Sequence, residues 1–87
     1  MAKRVVAHGR VQGVFFRDSV RQRAEQRGVA GWVANRRDGA VEALFEGDPE
    51  DVDALVEFAS KGPRSASVER VEVDDADPQG LDGFSVR

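Results

Sequence analysis

The sequence predicts an α+β fold in which two helices cover one face of an antiparallel sheet. Three observations lead to this. Strand-like and helix-like segments follow one another in the order β-α-β-β-α-β, with a short strand-like tail. Asp38-Gly39 is a strong hairpin signal between the second and third strands. The length of 87 residues has room for one small domain, so we expect residues 1–87 to form a single unit.

The first half of the chain reads as a strand, a loop and a helix. Residues 4–11 have the β-branched content of a strand, and Gly9 and Gly13 bracket the loop into which it runs. Residues 16–27 suit a helix, since Phe16, Val20 and Ala24 are four apart and share one face. Gly28 follows, where a glycine often ends a helix.

The second half reads as a hairpin, a helix and two more strands. Strands are expected at residues 30–36 and 40–46, and the alternation in the latter places Val41, Ala43 and Phe45 on one buried face. The second helix is expected to be capped by Asp48, to start at Pro49 and to end by Pro63. It has one apolar stripe, formed by Val52, Leu55, Val56 and Ala59. A strand at 68–74 and a short edge strand at 84–87 complete a ferredoxin-like βαββαβ sandwich.

Composition excludes several kinds of chemistry. The chain has no cysteine, so it has no disulfide, thiol nucleophile or zinc–cysteine site, and its single histidine argues against a histidine-built metal site. No apolar run approaches the ~20 residues of a membrane helix, and no signal-peptide pattern follows Met1. We therefore expect a cytoplasmic protein without membrane association, and the default for so polar a surface is a monomer.

Charge is distributed unevenly along the chain. Residues 1–37 have nine Lys/Arg and two acidic residues, whereas residues 38–87 have four Lys/Arg and fourteen acidic residues, and the net charge is −3. Such segregation indicates an anionic partner for the basic part. The other interpretation is that exposed faces simply differ in composition, and the pattern alone leaves both open.

The segment Gly9–Arg17 has the parts of a phosphate site. Backbone N–H groups in a glycine-bracketed loop can converge on an anion, and the helix that follows adds partial positive charge. Arg17 supplies a full charge with a planar set of donors. No Gly-Lys-Ser/Thr follows, so the loop is not a nucleotide-binding P-loop. The alternative is a tight turn beside a surface arginine.

Asn35 stands out in the segment Gly31–Val41, because asparagine is disfavoured within strands. Its amide both donates and accepts hydrogen bonds, so it could orient a water molecule without titrating. The alternative is that Asn35 only shapes the hairpin.

Both segments resemble the signatures of the acylphosphatase family. Residues 9–17 match Gly-x-Val-Gln-Gly-Val-x-Phe-Arg, and residues 31–47 match Gly-Trp-Val-Ala-Asn-x-x-x-Gly-x-Val-x-x-x-x-x-Gly. The resemblance implies hydrolysis of acyl phosphates to carboxylate and inorganic phosphate, with no metal or cofactor. It implies that Arg17 binds the phosphoryl oxygens and that Asn35 positions the attacking water. The phosphate cradle would be completed by the backbone N–H groups of Val11, Gln12, Gly13, Val14, Phe15 and Phe16.

Two other functions are compatible with parts of the sequence pattern. RNA-recognition domains share the βαββαβ order, but the third strand, Ala-Val-Glu-Ala-Leu-Phe-Glu, lacks their aromatic motif and the net charge is negative, so no nucleic-acid partner is expected. A non-catalytic regulatory or accessory domain that binds phosphate or an acyl phosphate is the remaining alternative. The presence of both Arg17 and Asn35 favours the enzyme.

Overall fold

The computed structural model describes all 87 residues and contains five strands and two helices. In chain order they are β1 (Ala2–Arg10), α1 (Phe16–Arg27), β2 (Ala30–Asn35), β3 (Val41–Glu46), α2 (Pro49–Lys61), β4 (Ser67–Asp75) and β5 (Phe84–Val86). The predicted order is confirmed, and the predicted bounds differ from these by two residues or fewer.

The strands form one sheet in the order β4-β1-β3-β2-β5. The first four strands pair antiparallel, as predicted for a ferredoxin-like fold. The fifth strand is parallel to β2, with Phe84 opposite Gly31 and Val86 opposite Val33, so the complete sheet is mixed. The connection after β4 returns the chain to the sheet edge where β2 lies, and β5 then runs in the same direction as β2.

The core lies between the sheet and the two helices. It is one cluster of fifteen buried residues, to which α1 contributes Phe16, Val20 and Ala24, as the helical spacing predicts. Phe45 of β3 is fully buried at its centre. Burying a side chain of this kind contributes about 1.5–3 kcal/mol to the stability of the fold. This packing holds α1, and with it the loop that precedes α1, in a fixed position on the sheet. Neither helix has the length and apolar composition required to span a bilayer.

Two local features differ from what the sequence pattern suggests. Leu44 alternates with Ala43 and Phe45 and so lies on the other face of the sheet, yet it is only 2% exposed. Its register partners on the two adjacent strands are Arg4 and Trp32, whose large side chains flank it. Asp48 occupies the N-cap position of α2, but its side chain makes no capping hydrogen bond. The negative charges of Glu50 and Asp51 in the first turn still complement the positive end of α2.

We expect Gly31→Ala to destabilise the protein by at least ~3 kcal/mol. Gly31 has a φ of +143°, and a Cβ atom there would lie 1.8 Å from the carbonyl oxygen of Leu44 on the paired strand. The two strands would have to separate. Gly39→Ala is the matched control, because Gly39 also has a positive φ (+93°) but no atom lies within 4 Å of its Cβ position. Urea unfolding should show that the free energy of unfolding of the control falls by about 1 kcal/mol. Equal losses in the two variants would contradict the steric argument.

Candidate active site

A cleft of about 540 Å³ opens where the loop after β1 meets the start of α1 and the ends of β2 and β5. It is lined by Val11, Gly13, Phe15, Phe16, Arg17, Asp18, Arg21, Asn35 and Val86. The structure therefore brings Arg17 and Asn35, which are eighteen positions apart in the chain, to one cleft. The loop of residues 11–16 forms one wall, and it is called the cradle loop below.

The backbone of the cradle loop alternates in conformation. Gly13 has a φ of +72° and Phe15 a φ of +62°, and Val14 between them has a negative φ. Alternation of this kind turns successive N–H groups toward a common point, which is the geometry of an anion nest. Phe15 is the only non-glycine residue of the chain with a positive φ, and its side chain is 80% exposed. A bulky residue in this conformation costs about 1–3 kcal/mol, and such strain is concentrated at functional sites.

The amide groups of the cradle loop have no acceptor within the protein. None of the N–H groups of residues 11–16 donates to a backbone carbonyl, and none donates to a side chain. The start of α1 adds to this set, since its N-cap residue, Phe15, provides no side-chain cap. Six consecutive free donors at a helix N-terminus provide partial positive charge and hydrogen bonds for an anion.

Arg17 lies in the first turn of α1 and is half-buried. Its guanidinium donates one hydrogen bond, from Nη1 to the main-chain oxygen of Arg87 at 3.0 Å, and forms no ion pair with an Asp or Glu side chain. The residue that receives this bond is held by the sheet, because the Arg87 N–H donates to the carbonyl of Val33 at 2.8 Å. Arg17 is thus oriented by a main-chain acceptor, and no acidic side chain pairs with its guanidinium.

Asn35 is the last residue of β2 and is exposed at the edge of the cleft. Two residues earlier, Val33 lies in the core, so the alternation of the strand directs Asn35 to the helix side of the sheet, where the cradle loop lies. The side-chain amide of Asn35 makes no hydrogen bond within the protein. If Asn35 only shaped the hairpin, we would expect this amide to form a hydrogen bond with a hairpin residue. The hairpin is closed instead by Asp38, whose carboxylate accepts from the N–H of Ala40 at 3.1 Å.

The Gln12 side chain connects the cradle loop to the hairpin that follows Asn35. Its Nε2 donates to the carbonyls of Arg36, at 2.8 Å, and of Ala40, at 2.9 Å. These two bonds set the distance between the cradle loop and the end of β2. The sequence predicted only a backbone role for Gln12, because nothing in its local context shows that the hairpin lies beside it.

We expect Gln12→Ala to lower kcat/KM about tenfold, because a small displacement of the loop relative to Asn35 misplaces the reacting groups. Steady-state kinetics should show the loss mainly in kcat, since the free N–H groups of the cradle loop, the candidate anion-binding donors, remain. Gln26→Ala is the control, because Gln26 is exposed and forms no hydrogen bond. A Gln12→Ala enzyme with wild-type kcat would show that this link does not position the site.

The second arginine of the cleft is neutralised. Arg21 donates to Asp18 at 2.6 Å and to Glu25 at 2.7 Å. The hydrogen bond to Asp18, followed by the charge of Glu25, raises the pKa of Arg21. With two carboxylates on this guanidinium, Arg17 is the lining cation that pairs with no Asp or Glu side chain.

The sequence-predicted residues are distributed as follows around the cleft. Arg17 and Asn35 line it, as do Val11, Gly13, Phe15 and Phe16. Gln12 and Val14 do not, because the Gln12 side chain turns to the hairpin and Val14 is only 7% exposed. Both remain part of the cradle loop through their free N–H groups. The side chain of Val86 and the carbonyl of Arg87 were missed, since they reach the site only through the parallel pairing of β5.

The fold and the cleft together define a ferredoxin-like α+β protein with an anion-binding loop before its first helix. The family model for acylphosphatase matches residues 3–86. A protein named acylphosphatase from Haloarcula marismortui is 54% identical over 83 residues, which cover 95% of this chain and 91% of the relative. The acylphosphatase of Thermococcus kodakarensis is 56% identical over 88 residues, covering 97% of each chain. The crystal structure of the acylphosphatase from Bacillus subtilis superimposes with a TM-score of 0.92 at 38% identity, over 99% of this chain and 97% of that one. The chain belongs to the acylphosphatase family.

Proposed function

We propose that this cleft hydrolyses acyl phosphates, the mixed anhydrides of a carboxylic and a phosphoric acid, to a carboxylate and inorganic phosphate. Membership of the acylphosphatase family supports the reaction. The observation that supports the assignment of residues is the row of six free N–H groups beside the Arg17 guanidinium, in the same cleft as Asn35.

In this proposal the phosphoryl group of the substrate occupies the cradle loop. The N–H groups of residues 11–16 donate to its oxygens, and the guanidinium of Arg17 adds charge-assisted hydrogen bonds. Phosphoryl transfer requires mainly positioning and stabilisation of charge on the three equatorial oxygens. Fixed donors that are already oriented supply this stabilisation without reorganisation.

Asn35 orients the attacking water on the side of the phosphorus atom that lies opposite the bridging oxygen. The oxygen of the water forms a bond to phosphorus, and the bond from phosphorus to the bridging oxygen breaks. The electron pair of that bond leaves with the carboxylate. A carboxylate is stable at neutral pH, so the leaving group needs no general acid. An asparagine does not accept a proton, and we assign the proton of the water to a phosphate oxygen of the substrate.

We further propose that residues 1–87 work as one cytoplasmic, monomeric domain, and that the reaction uses no metal or other cofactor. The single core and the single sheet support the domain assignment. The six amide donors and the Arg17 guanidinium offer fixed electrostatic stabilisation to the phosphoryl oxygens, which supports a reaction without a metal.

The proposed function is tested by phosphate release from benzoyl phosphate, with purified protein that has been treated with a chelator. We expect turnover to survive the treatment. A folded protein that binds inorganic phosphate without turning over the substrate would instead be a non-catalytic phosphate-binding domain, and the proposal would be wrong. Activity that is lost with the chelator and restored by a divalent metal would contradict the metal-free assignment.

A further inference from the structure

The cations without a carboxylate partner are concentrated at one end of the molecule. Of the thirteen Lys and Arg residues, seven form ion pairs with Asp or Glu. The other six are Arg10, Arg17, Arg23, Arg37, Arg64 and Arg87. All but Arg23 belong to the segments that surround the cradle loop.

Two of these arginines adjoin the loop from the sheet side. Arg10 ends β1 and directly precedes the cradle loop. Arg37 follows Arg36, whose carbonyl accepts a hydrogen bond from Gln12 of the cradle loop. Both side chains are exposed.

Two more of these arginines adjoin the cradle loop from the segments that follow α2 and β5. Arg64 precedes Ser65, whose hydroxyl donates to the carbonyl of Val14 in the cradle loop at 2.5 Å. Arg64 is also exposed. Arg87 contributes the carbonyl that orients Arg17, and its own guanidinium lies 4.8 Å from the centre of the Trp32 ring. We call Arg10, Arg37 and Arg64 the arginine rim.

The acidic residues without a cation partner lie mostly at the opposite end. They are Glu46, Asp48, Glu50, Asp53, Glu69, Asp77 and Asp82. Six of these seven lie at the end of the molecule where Met1 pairs with Gly47. They belong to the end of β3, to the start of α2 or to the connection between β4 and β5. Glu69 is the exception. A chain with a net charge of −3 therefore has a positive end, and that end contains the candidate active site.

This polarity is more than one phosphoryl group requires. The cradle loop and Arg17 already supply the donors for its oxygens, and the arginine rim lies outside the lining of the cleft. Exposed charges act over about one Debye length, roughly 8–10 Å at ordinary ionic strength. Each rim arginine directly adjoins a residue that belongs to the cradle loop or bonds to it, and we infer that the acyl portion of a substrate held in this loop lies within that range.

We propose that the arginine rim selects acyl phosphates whose acyl portion has a further negative charge, a carboxylate or a second phosphoryl group. The inference rests on the proposed function. The rim raises the local concentration of such a substrate and stabilises its bound form, whereas a neutral acyl group gains only from the attraction of its phosphate.

The test compares kcat/KM for succinyl phosphate, which has an extra carboxylate, with kcat/KM for acetyl phosphate, which has none. The enzymes are the wild type, the triple variant Arg10→Gln, Arg37→Gln, Arg64→Gln, and the control Arg23→Gln. Arg23 is also unpaired, but its guanidinium lies 4.4 Å from the ring centre of Phe58, on the helical side of the protein. We expect the wild type to prefer succinyl phosphate. The triple variant should lose about twofold of that preference per arginine, roughly tenfold in all.

High salt provides the second readout. Raising the ionic strength to 1 M shortens the Debye length to about 3 Å, so the preference of the wild type should fall toward that of the triple variant. An equal ratio of kcat/KM values in the wild type and the triple variant would overturn the inference, and so would an equal loss in Arg23→Gln. Failure of the wild type to hydrolyse either substrate would contradict the proposed function itself.

Discussion

Arg17→Gln is expected to lower kcat/KM for benzoyl phosphate by at least ~10³-fold and to remove phosphate binding at the same time. An arginine that stabilises a phosphoryl group in its transition state is worth about 10³–10⁵ in rate. Arg17 is the lining cation that pairs with no Asp or Glu side chain, and its guanidinium is oriented by the main-chain oxygen of Arg87. Glutamine keeps a hydrogen-bond donor but has no charge. Inorganic phosphate, tested as a competitive inhibitor, should therefore lose its effect together with the loss of turnover.

The control for this variant is Arg23→Gln, the same substitution on the same helix but away from the cleft. Its kcat/KM should stay within about twofold of the wild type, as expected for a surface change. Urea unfolding of both variants separates loss of function from loss of fold. A folded Arg17→Gln enzyme that is still inhibited by phosphate at the wild-type concentration would show that the cradle loop binds phosphate without Arg17.

Asn35→Ala is expected to lower kcat by ~10²–10³-fold, the effect of removing one aligned hydrogen-bonding group, and to leave phosphate affinity unchanged. The reason is the proposed division of roles, in which the side-chain amide of Asn35 holds the water and the cradle loop and Arg17 hold the phosphate. The side chain forms no hydrogen bond within the protein, so its removal leaves no partner unsatisfied and should not alter stability. Steady-state kinetics and phosphate inhibition measure the two roles separately.

Asn35→Asp sharpens this prediction. Aspartate has nearly the same shape and still accepts a hydrogen bond, but its negative charge faces the phosphate. We expect it to weaken phosphate inhibition, which Asn35→Ala does not. Equal losses of phosphate affinity in Arg17→Gln and Asn35→Ala would contradict the proposed division of roles.

Most of the fold could be predicted because its signals are local. The spacing of Phe16, Val20 and Ala24 and the Asp38-Gly39 hairpin depend on neighbours within a few residues, and both are observed. The direction of β5 and the burial of Leu44 depend on which strands become neighbours in the sheet. No pattern within a single strand contains that information.

The same distinction applies to the candidate site. Arg17, Asn35 and the cradle loop belong to two continuous segments whose residue types already indicate anion binding. The Gln12 side chain and the Arg87 carbonyl act through contacts that span 24 and 70 positions. The positive end of the molecule shows the same limit: Arg64 and Arg87 come from the acidic half of the sequence, and only the fold brings them to the cradle loop.

In the proposed mechanism, water attacks phosphorus while the phosphoryl group is held in the cradle loop. Hydrolysis of benzoyl phosphate in water enriched with ¹⁸O shows which atom is attacked, because the new bond carries the label. We expect one ¹⁸O atom in the released phosphate and none in benzoate, as measured by mass spectrometry after a short reaction. Enrichment of the benzoate would mean that water attacks the carbonyl carbon, and the roles assigned to Arg17 and Asn35 would be wrong.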